Sequence, residues 1–331
     1  MKARVVSGMR PTGLLHLGHL VGALNNWVAL QDQYDCFYFV ADWHALTSEY
    51  ADTSKVVESA YDMVADWSAA GLDPEKSTFF VQSLVPEHAE LFLLLSMVTP
   101  VPWLERVPTY KEQQEDLKER DLSTIGFLGY PLLQTADVSI YDAKFVPDGE
   151  DQVAHLELSR EVVRRFNNFF GETLVEPQPL LTKVSRLPGI DGDKKMSKSI
   201  GNTIHLSDDA EAVTKRVRMM YTDPKRVRAD IPGTVEGNPV FIYHDTFNPD
   251  TAEVDELKER YRAGKVGDVE VKMKLAKALN AHLDPIRERR RAVLAKPGAV
   301  KEILHEGSKK ARVTARETME RVRQAVKLRY R

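Results

Sequence analysis

The chain has 331 residues, 43% of them hydrophobic, which is enough for a sizeable core and for two domains of ordinary size. A single cysteine, Cys36, excludes an intrachain disulfide and a cysteine-rich metal cluster, and its apolar surroundings predict a buried thiol. No apolar run of roughly 18 residues and no signal-peptide layout occurs, so we expect a soluble, cytoplasmic protein without membrane contact.

The net charge of −3 hides an uneven distribution along the chain. From residue 285 to residue 331 there are 15 lysines and arginines against five acidic residues, so the remainder of the chain is acidic. A basic segment on an acidic body predicts contact with nucleic acid, although a solvated helical surface gives the same pattern.

The first half of the chain alternates short apolar runs with helical patterns, which is typical of a parallel sheet with crossover helices. The predicted strands are residues 3–7, 37–41 and 78–81, and the predicted helices are 53–70 and 86–98. Thr53 is the expected cap of the first of these helices and Gly71 its stop. We therefore expect a doubly wound α/β domain with its binding crevice at the carboxyl ends of the strands.

Residues 8–27 follow the first strand as a Pro/Gly turn and then a helical pattern. His16 and His19 stand where the helix begins, with Gly18 between them. A helix N-terminus offers backbone N–H groups and a partial positive charge, and glycine permits close approach, so the loop suits a polyphosphate. Two histidines at this spacing could also simply cap the helix or face solvent.

A second motif lies far downstream, at residues 194–202, where three lysines alternate with small hydroxyl residues and Gly-Asn follows. Lysine is a compact point charge that suits phosphates, so the run predicts a loop that closes over a charged ligand. A solvated basic loop is the simpler alternative. The presence of both motifs in one chain favours a shared nucleotide site.

The rest of the chain is predicted to be mainly helical. Residues 105–121 are charged without an apolar stripe and indicate a surface segment. A helix is expected from 152 to 166, and prolines between 177 and 188 then indicate loops. Beyond residue 202 the predicted elements are helices 208–221, 254–263, 269–291 and 300–330, which places a domain boundary near residue 204.

The sequence resembles the class I aminoacyl-tRNA synthetases, and among them the bacterial tryptophanyl-tRNA synthetases. The resemblance rests on the two family signatures, His16-Leu17-Gly18-His19 and Lys195-Met196-Ser197-Lys198-Ser199, and on residues 7–13, 130–137, 146–152 and 285–289. It covers essentially the whole chain. It implies a Rossmann-like catalytic domain, 1–203, that ends in the lysine loop, followed by a smaller all-helical, anticodon-binding domain, 204–331.

The resemblance also implies the substrates and the residues that bind them. The expected ligands are ATP with Mg²⁺, L-tryptophan and tRNA(Trp), with no dedicated metal site on the protein and a homodimeric assembly. The residues that match catalytic positions of the family are His16, His19, Lys195 and Lys198. Those that match ATP-binding positions are Arg10, Pro11, Thr12, Gly18, His19, Gly149, Glu150, Asp151, Leu187, Lys195, Met196, Ser197, Lys198 and Ser199. Those that match tryptophan-binding positions are Tyr130, Gln134, Asp137, Gln152 and His44.

The residue types fit the reaction of such an enzyme. The amino acid carboxylate attacks the α-phosphate of ATP, so the protein has to position the reactants and stabilise charge on the phosphates. Tyr130, Gln134 and Asp137 fall on one helix face, and the Asp137 carboxylate could accept the indole N–H. Asp137 could instead cap or pair within the fold, and His44 could be a satisfied histidine at a strand end.

Two departures from the commonest tryptophan pattern keep a second substrate open. Gln134 stands where many relatives have methionine, and Val6 where they often have phenylalanine. The spacing of Tyr130, Gln134 and Asp137 is also the one that tyrosyl-tRNA synthetases use. The alternatives are therefore tyrosine charging and, more remotely, a small-molecule nucleotidylyltransferase or a non-catalytic RNA-binding relative.

Overall fold

The computed structural model describes residues 2–107, 122–148, 153–181, 187–192, 196–197, 200–226 and 228–330. Within them, five strands form one parallel sheet in the order β3-β2-β1-β4-β5. The strands are β1 (Arg4–Met9), β2 (Asp35–Val40), β3 (Ser77–Val81), β4 (Phe145–Asp148) and β5 (Gln178–Leu181). The chain therefore builds outward from β1 to β3 and then crosses to the other side of β1, as the predicted doubly wound fold requires.

The central strands are nearly continuously apolar because helices cover both faces of the sheet. Cys36 to Val40 of β2 are all buried, and Val6 of β1 pairs with Phe37. The prediction of a buried thiol at Cys36 is confirmed. The prolines between 177 and 188 were expected to form loops, but Pro179 lies within β5. As an edge strand, β5 tolerates a residue that lacks an N–H donor.

Helices flank the sheet and make up most of the second half. In the first half they are α1 (Leu17–His19), which continues through a π-helical turn (Leu20–Leu24) into α2 (Asn25–Leu30), then α3 (Asp42–Glu49), α4 (Val56–Ala70), α5 (Glu87–Ser96), α6 (Val101–Glu105), α7 (Ile125–Ser139) and α8 (Val153–Phe170). In the second half they are α9 (Ala210–Arg218), α10 (Pro239–Phe247), α11 (Thr251–Arg262), α12 (Asp268–Leu294) and α13 (Ala299–Ala325).

The predicted helices match observed ones to within about five residues, whereas helices α3, α6 and α10 were not predicted. The expected cap at Thr53 is wrong, because α4 begins after Lys55, which makes no capping side-chain hydrogen bond. The stop at Gly71 is confirmed: this glycine has a φ of +113°, a left-handed conformation that favours glycine. Helix α10 was not predicted, although Asn238 caps it and Pro239 occupies its first turn.

Helix α13 packs directly on the outer strand β3. A Cβ atom on Gly307 would lie 1.8 Å from the carbonyl oxygen of Phe79, so only glycine permits this approach. The neighbouring Ser308 accepts a hydrogen bond from the backbone N–H of Val81 at 3.1 Å. The C-terminal helix thus covers an edge strand that would otherwise expose unpaired backbone groups.

Much of the basic charge of the C-terminal segment is neutralised within the molecule. Arginines of α12 and α13 form ion pairs with acidic residues of the first half: Arg290 with Asp62 and Asp66, Arg312 and Arg316 with Glu87, Arg321 with Asp142, and Arg323 with Glu90. The excess of arginine therefore joins the helical half to the acidic body. No helix in the described part of the chain is long and apolar enough to cross a membrane.

Candidate functional site

The loop after β1 leads from the sheet into the first histidine of the motif. The backbone N–H of Thr12 donates to the carbonyl of Arg10 at 2.9 Å, and Gly13 has a φ of +103°. Thr12 is exposed and Pro11 is buried, so the turn is anchored on one side and open on the other. Its position at the carboxyl end of β1, next to β4, is the point where the strand order reverses. Ligands of such sheets bind at this point.

The two histidines of the motif form a reciprocal cap on the helix. His16 Nδ1 accepts the Gly18 N–H at 3.1 Å, and His19 Nδ1 accepts the His16 N–H at 3.2 Å. The rings lie 3.9 Å apart between centroids. The capping alternative therefore describes this structure, and a phosphate contact from either ring would use Nε2. A Cβ on Gly18 would come within 2.9 Å of the His16 ring, which explains the glycine.

The second motif meets the first at this cap. The Gly18 N–H also points to the sulfur of Met196, with 3.4 Å between nitrogen and sulfur. Met196 is buried and shares a core cluster with Leu187 and Leu17. The structure therefore brings the described part of the lysine motif against the histidine motif, although 178 residues separate them in sequence.

The residues that follow the lysine motif form hydrogen bonds with the loop that carries the histidine motif. The N–H of Leu17 donates to the carbonyl of Ile204 at 3.0 Å, and the N–H of Leu206 donates to the carbonyl of Leu15 at 2.9 Å. Asn202 holds the motif itself, because its Oδ1 accepts the Ser197 N–H at 2.7 Å. These hydrogen bonds hold residues 204–206 against the loop of the histidine motif and Ser197 against Asn202.

Several predicted site residues lie outside the described residues: Gly149, Glu150, Asp151, Gln152, Lys195, Lys198 and Ser199. The first four follow directly after β4, which pairs with β1. The last three belong to the motif whose described members, Met196 and Ser197, contact the histidine cap and Asn202. Their binding roles stay predictions.

The predicted amino acid pocket is centred on Asp137 of α7, which is fully buried. Its carboxylate accepts hydrogen bonds from His44 Nε2 at 2.7 Å, Gln82 Nε2 at 2.7 Å and His88 Nδ1 at 2.6 Å. Burial acts to raise the pKa of Asp137, but His44 and His88 more than offset this and lower it to about 2. Asp137 is therefore an ionised acceptor at neutral pH, paired within the fold as the alternative interpretation anticipated.

Two other residues of the predicted pocket lie on α7. Tyr130 and Gln134 are half-buried on the helix face of Asp137. The Tyr130 ring lies 5.5 Å from that of His155 between centroids. Burial lowers the pKa of Arg10, and the neighbouring Tyr130 and Glu49 partly oppose this effect.

Sequence reasoning missed three residues around Asp137. Gln82 follows β3 directly, His88 lies in the first turn of α5, and Tyr141 follows α7 with its hydroxyl 2.6 Å from His88 Nε2. The signal for Gln82 was present, since a polar residue at the carboxyl end of a parallel strand faces the binding edge of the sheet. Nothing in the local pattern distinguishes His88 or Tyr141 from ordinary core residues.

Comparison with known proteins agrees with this geometry. Residues 1–284 match the family described as tRNA synthetases class I (W and Y). The chain is 51% identical over 328 residues to a tryptophan–tRNA ligase of Thermotoga maritima, with 99% of this chain and 100% of the relative covered. It is 48% identical to the tryptophan–tRNA ligase of Treponema pallidum, with 98% and 97% covered.

A solved structure shows the same fold over nearly the full length. The tryptophanyl-tRNA synthetase of Campylobacter jejuni, crystallised with ADP and tryptophan, superposes with a TM-score of 0.87 at 34% identity, and 98% of this chain and 99% of that chain are covered. Membership of one family therefore explains the two motifs and the parallel sheet that carries them. The chain belongs to the family of class I tRNA synthetases for tryptophan and tyrosine.

Proposed function

We propose that this protein activates L-tryptophan with ATP and transfers it to tRNA(Trp). In the first step the tryptophan carboxylate attacks the α-phosphate, tryptophanyl-adenylate forms and pyrophosphate leaves. In the second, a terminal ribose hydroxyl of the tRNA attacks the activated carbonyl and AMP leaves. The contact between Met196 and Gly18 carries the proposal, because it joins both signature motifs at one site.

The protein groups in this reaction position and stabilise charge. The nucleophile belongs to the substrate, so no catalytic serine, cysteine or base is required. His16, His19 and Thr12 hold the α- and β-phosphates. Lys195 and Lys198 neutralise the departing pyrophosphate, and residues 149–151, which follow β4 in the sequence, hold the ribose.

Mg²⁺ bound to ATP would supply further neutralisation of the phosphates. Among the described residues, no group of three or more His, Cys, Asp or Glu side chains could hold a metal ion. The phosphates themselves are the expected ligands of the ion, since Mg²⁺ in such sites is bound largely through substrate phosphates and water.

Asp137 selects the amino acid by accepting the indole N–H, with Tyr130, Gln134, Gln152 and His44 around it. The indole nitrogen is a donor without acceptor capacity, which matches an ionised carboxylate. Tyrosine charging is the second candidate, because a phenol hydroxyl could also donate to Asp137. The relatives that match nearly the whole chain at 48–51% identity are named as tryptophan enzymes, which favours tryptophan.

The remaining assignments rest on the family. The helical half, residues 204–331, reads the anticodon, and two copies of the chain form the working enzyme in the cytoplasm. The ion pairs between Arg290 and Asp62 and between Arg312 and Glu87 support a role for α12 and α13 in fixing this half on the catalytic body.

Amino-acid-dependent exchange between ATP and labelled pyrophosphate tests the function. Across the standard amino acids, tryptophan should support the fastest exchange, and the charged product should be tRNA(Trp). Faster exchange with tyrosine would transfer the assignment to the second candidate. If none of the amino acids supports exchange, the protein is not an amino-acid-activating enzyme.

A further inference from the structure

The two oxygens of the buried Asp137 carboxylate accept different numbers of hydrogen bonds. Its Oδ1 accepts two hydrogen bonds, from Gln82 Nε2 and His88 Nδ1, whereas its Oδ2 accepts one, from His44 Nε2. Each carboxylate oxygen has about two lone-pair sites. Oδ1 is therefore saturated by the protein, and the acceptor capacity that remains lies on Oδ2, beside His44.

The solvent exposure of the surrounding side chains also indicates that a ligand would reach Oδ2. The His44 side chain is 11% exposed, whereas those of Asp137 and His88 are 1% and 0% exposed. A ligand that reaches Asp137 therefore arrives from the side of His44 and Oδ2. His88 and Gln82 lie on the closed side.

A second buried contact orients the histidine on the closed side. His88 Nε2 lies 2.6 Å from the hydroxyl of Tyr141, which is itself fully buried. Because Asp137 is ionised and can only accept, His88 carries a proton on Nδ1. Burial raises the pKa of Tyr141 well above its ordinary value, so its hydroxyl stays protonated and forms a hydrogen bond with Nε2. Tyr141 thus fixes the orientation of the His88 ring, whose Nδ1 lies against Oδ1.

We propose that His88, with Tyr141 and Gln82, is a positioning residue for amino acid selection: together they occupy Oδ1 of Asp137 and turn Oδ2 toward the indole N–H. This inference rests on the proposed function and deepens it. None of the three residues has to touch the substrate. Loss of His88 lets the carboxylate rotate, so the pocket binds tryptophan less well and discriminates less against analogues without the N–H donor.

The test compares tryptophan with 3-benzothienylalanine, in which sulfur replaces the indole N–H. The quantity measured is the ratio of kcat/KM for the two amino acids in pyrophosphate exchange. His88→Ala should lower this ratio by about tenfold or more and raise KM for tryptophan, with KM for ATP changed by less than about twofold. His282→Asn, a substitution in the helical half, is the matched control and should keep the parent ratio.

Two isosteric variants separate positioning from general damage to the fold. Asparagine places its amide nitrogen near the position of Nδ1, whereas glutamine places it near Nε2. His88→Asn should therefore retain the ratio and His88→Gln should lose it, even if His88→Ala does not fold. Tyr141→Phe should give an intermediate loss. Equal ratios in the Asn and Gln variants would overturn the proposal.

Failure of this inference is distinguishable from failure of the proposed function. If the parent protein shows no tryptophan-dependent exchange, the proposed function is wrong. If the parent activates tryptophan but does not discriminate against the sulfur analogue, the activation of tryptophan stands, but both the selection by Asp137 and the positioning role are wrong. If the parent discriminates and His88→Ala keeps the parent ratio, only the positioning role is wrong.

Discussion

The sulfur of Met196 lies 3.4 Å from the backbone nitrogen of Gly18 and meets the same N–H that His16 Nδ1 accepts. One backbone group thus links the histidine cap and the lysine motif. Since Gly18 has no side chain, both neighbours can approach it. The proposed nucleotide site is therefore built on a close contact between two segments that lie 178 positions apart in the sequence.

Gly18→Ala should impair ATP binding more than amino acid binding. The new Cβ would lie 2.9 Å from Cε1 and 3.0 Å from Nδ1 of His16, so the ring has to leave its capping position. We expect KM for ATP to rise by about tenfold or more, with KM for tryptophan little changed. Gly126→Ala is the control, because its Cβ would meet only Thr124 Oγ1, at 3.9 Å. Equal KM values for ATP in the two variants would contradict this role of Gly18.

Gly307→Ala should destabilise the fold through the sheet edge. A Cβ atom 1.8 Å from the Phe79 carbonyl oxygen forces α13 away from β3. The expected loss is about 1–3 kcal/mol or more in the free energy of unfolding, measured by urea denaturation. Glu306→Ala, at an exposed position of the same helix, should change stability by less than about 0.5 kcal/mol. A Gly307→Ala protein as stable as this control would show that α13 is not packed on β3.

The raised pKa of Asp66 predicts that the folded protein loses stability as the pH rises. Burial raises its pKa to about 6, against the opposing effect of Arg290, which lies 2.7 Å away. Between the ordinary value of 3.8 and 6, the folded protein binds the proton more tightly than the unfolded chain. The contribution of Asp66 to stability therefore falls as pH rises through this range. Urea unfolding at successive pH values should show a shallower fall in Asp66→Asn, and an identical pH slope would contradict the assignment.

The lowered pKa of Asp137 predicts the opposite effect at lower pH: the folded protein loses stability as the pH falls. Its pKa of about 2 lies below the ordinary value of 3.8, because His44 and His88 stabilise the charged form more than burial disfavours it. Its contribution is full above pH 3.8 and is lost as pH falls toward 2. In Asp137→Asn, the loss of stability over this acid range should be smaller than in the parent protein. Parent-like acid sensitivity of that variant would show that other carboxylates dominate.

Local sequence patterns predicted the parts of this molecule that depend on local physics. Apolar runs predicted β1, β2 and β3, and Gly71 predicted the end of α4 through its left-handed conformation. Strand β5 was missed because Pro179 reads as a loop residue unless its place at the sheet edge is known. Helix α10 was missed although the Asn238-Pro239 pair is a helix-start signal, because too little apolar periodicity follows it.

The residues of the candidate site likewise fall into those that the sequence predicted and those that it did not. The two motifs predicted a shared site, and their described residues are in contact, while helical spacing placed Asp137 and Tyr130 on one helix. Gln82 and His88 could not be paired with Asp137 from sequence, because they reach it from β3 and α5, which only the tertiary fold brings beside α7. The pairing of the basic C-terminal arginines with acids more than 150 residues earlier escaped prediction for the same reason.

The most direct test of the account is a double-mutant cycle on the two motifs. The rate constant of tryptophanyl-adenylate formation is measured by quenched flow in the parent, His19→Ala, Lys195→Ala and the double variant. Each single substitution should lower the rate by about 10²–10³, and the double variant should lose less than the product of the two effects, because both groups act on one ATP. Single variants that form the adenylate within about threefold of the parent rate would contradict the account.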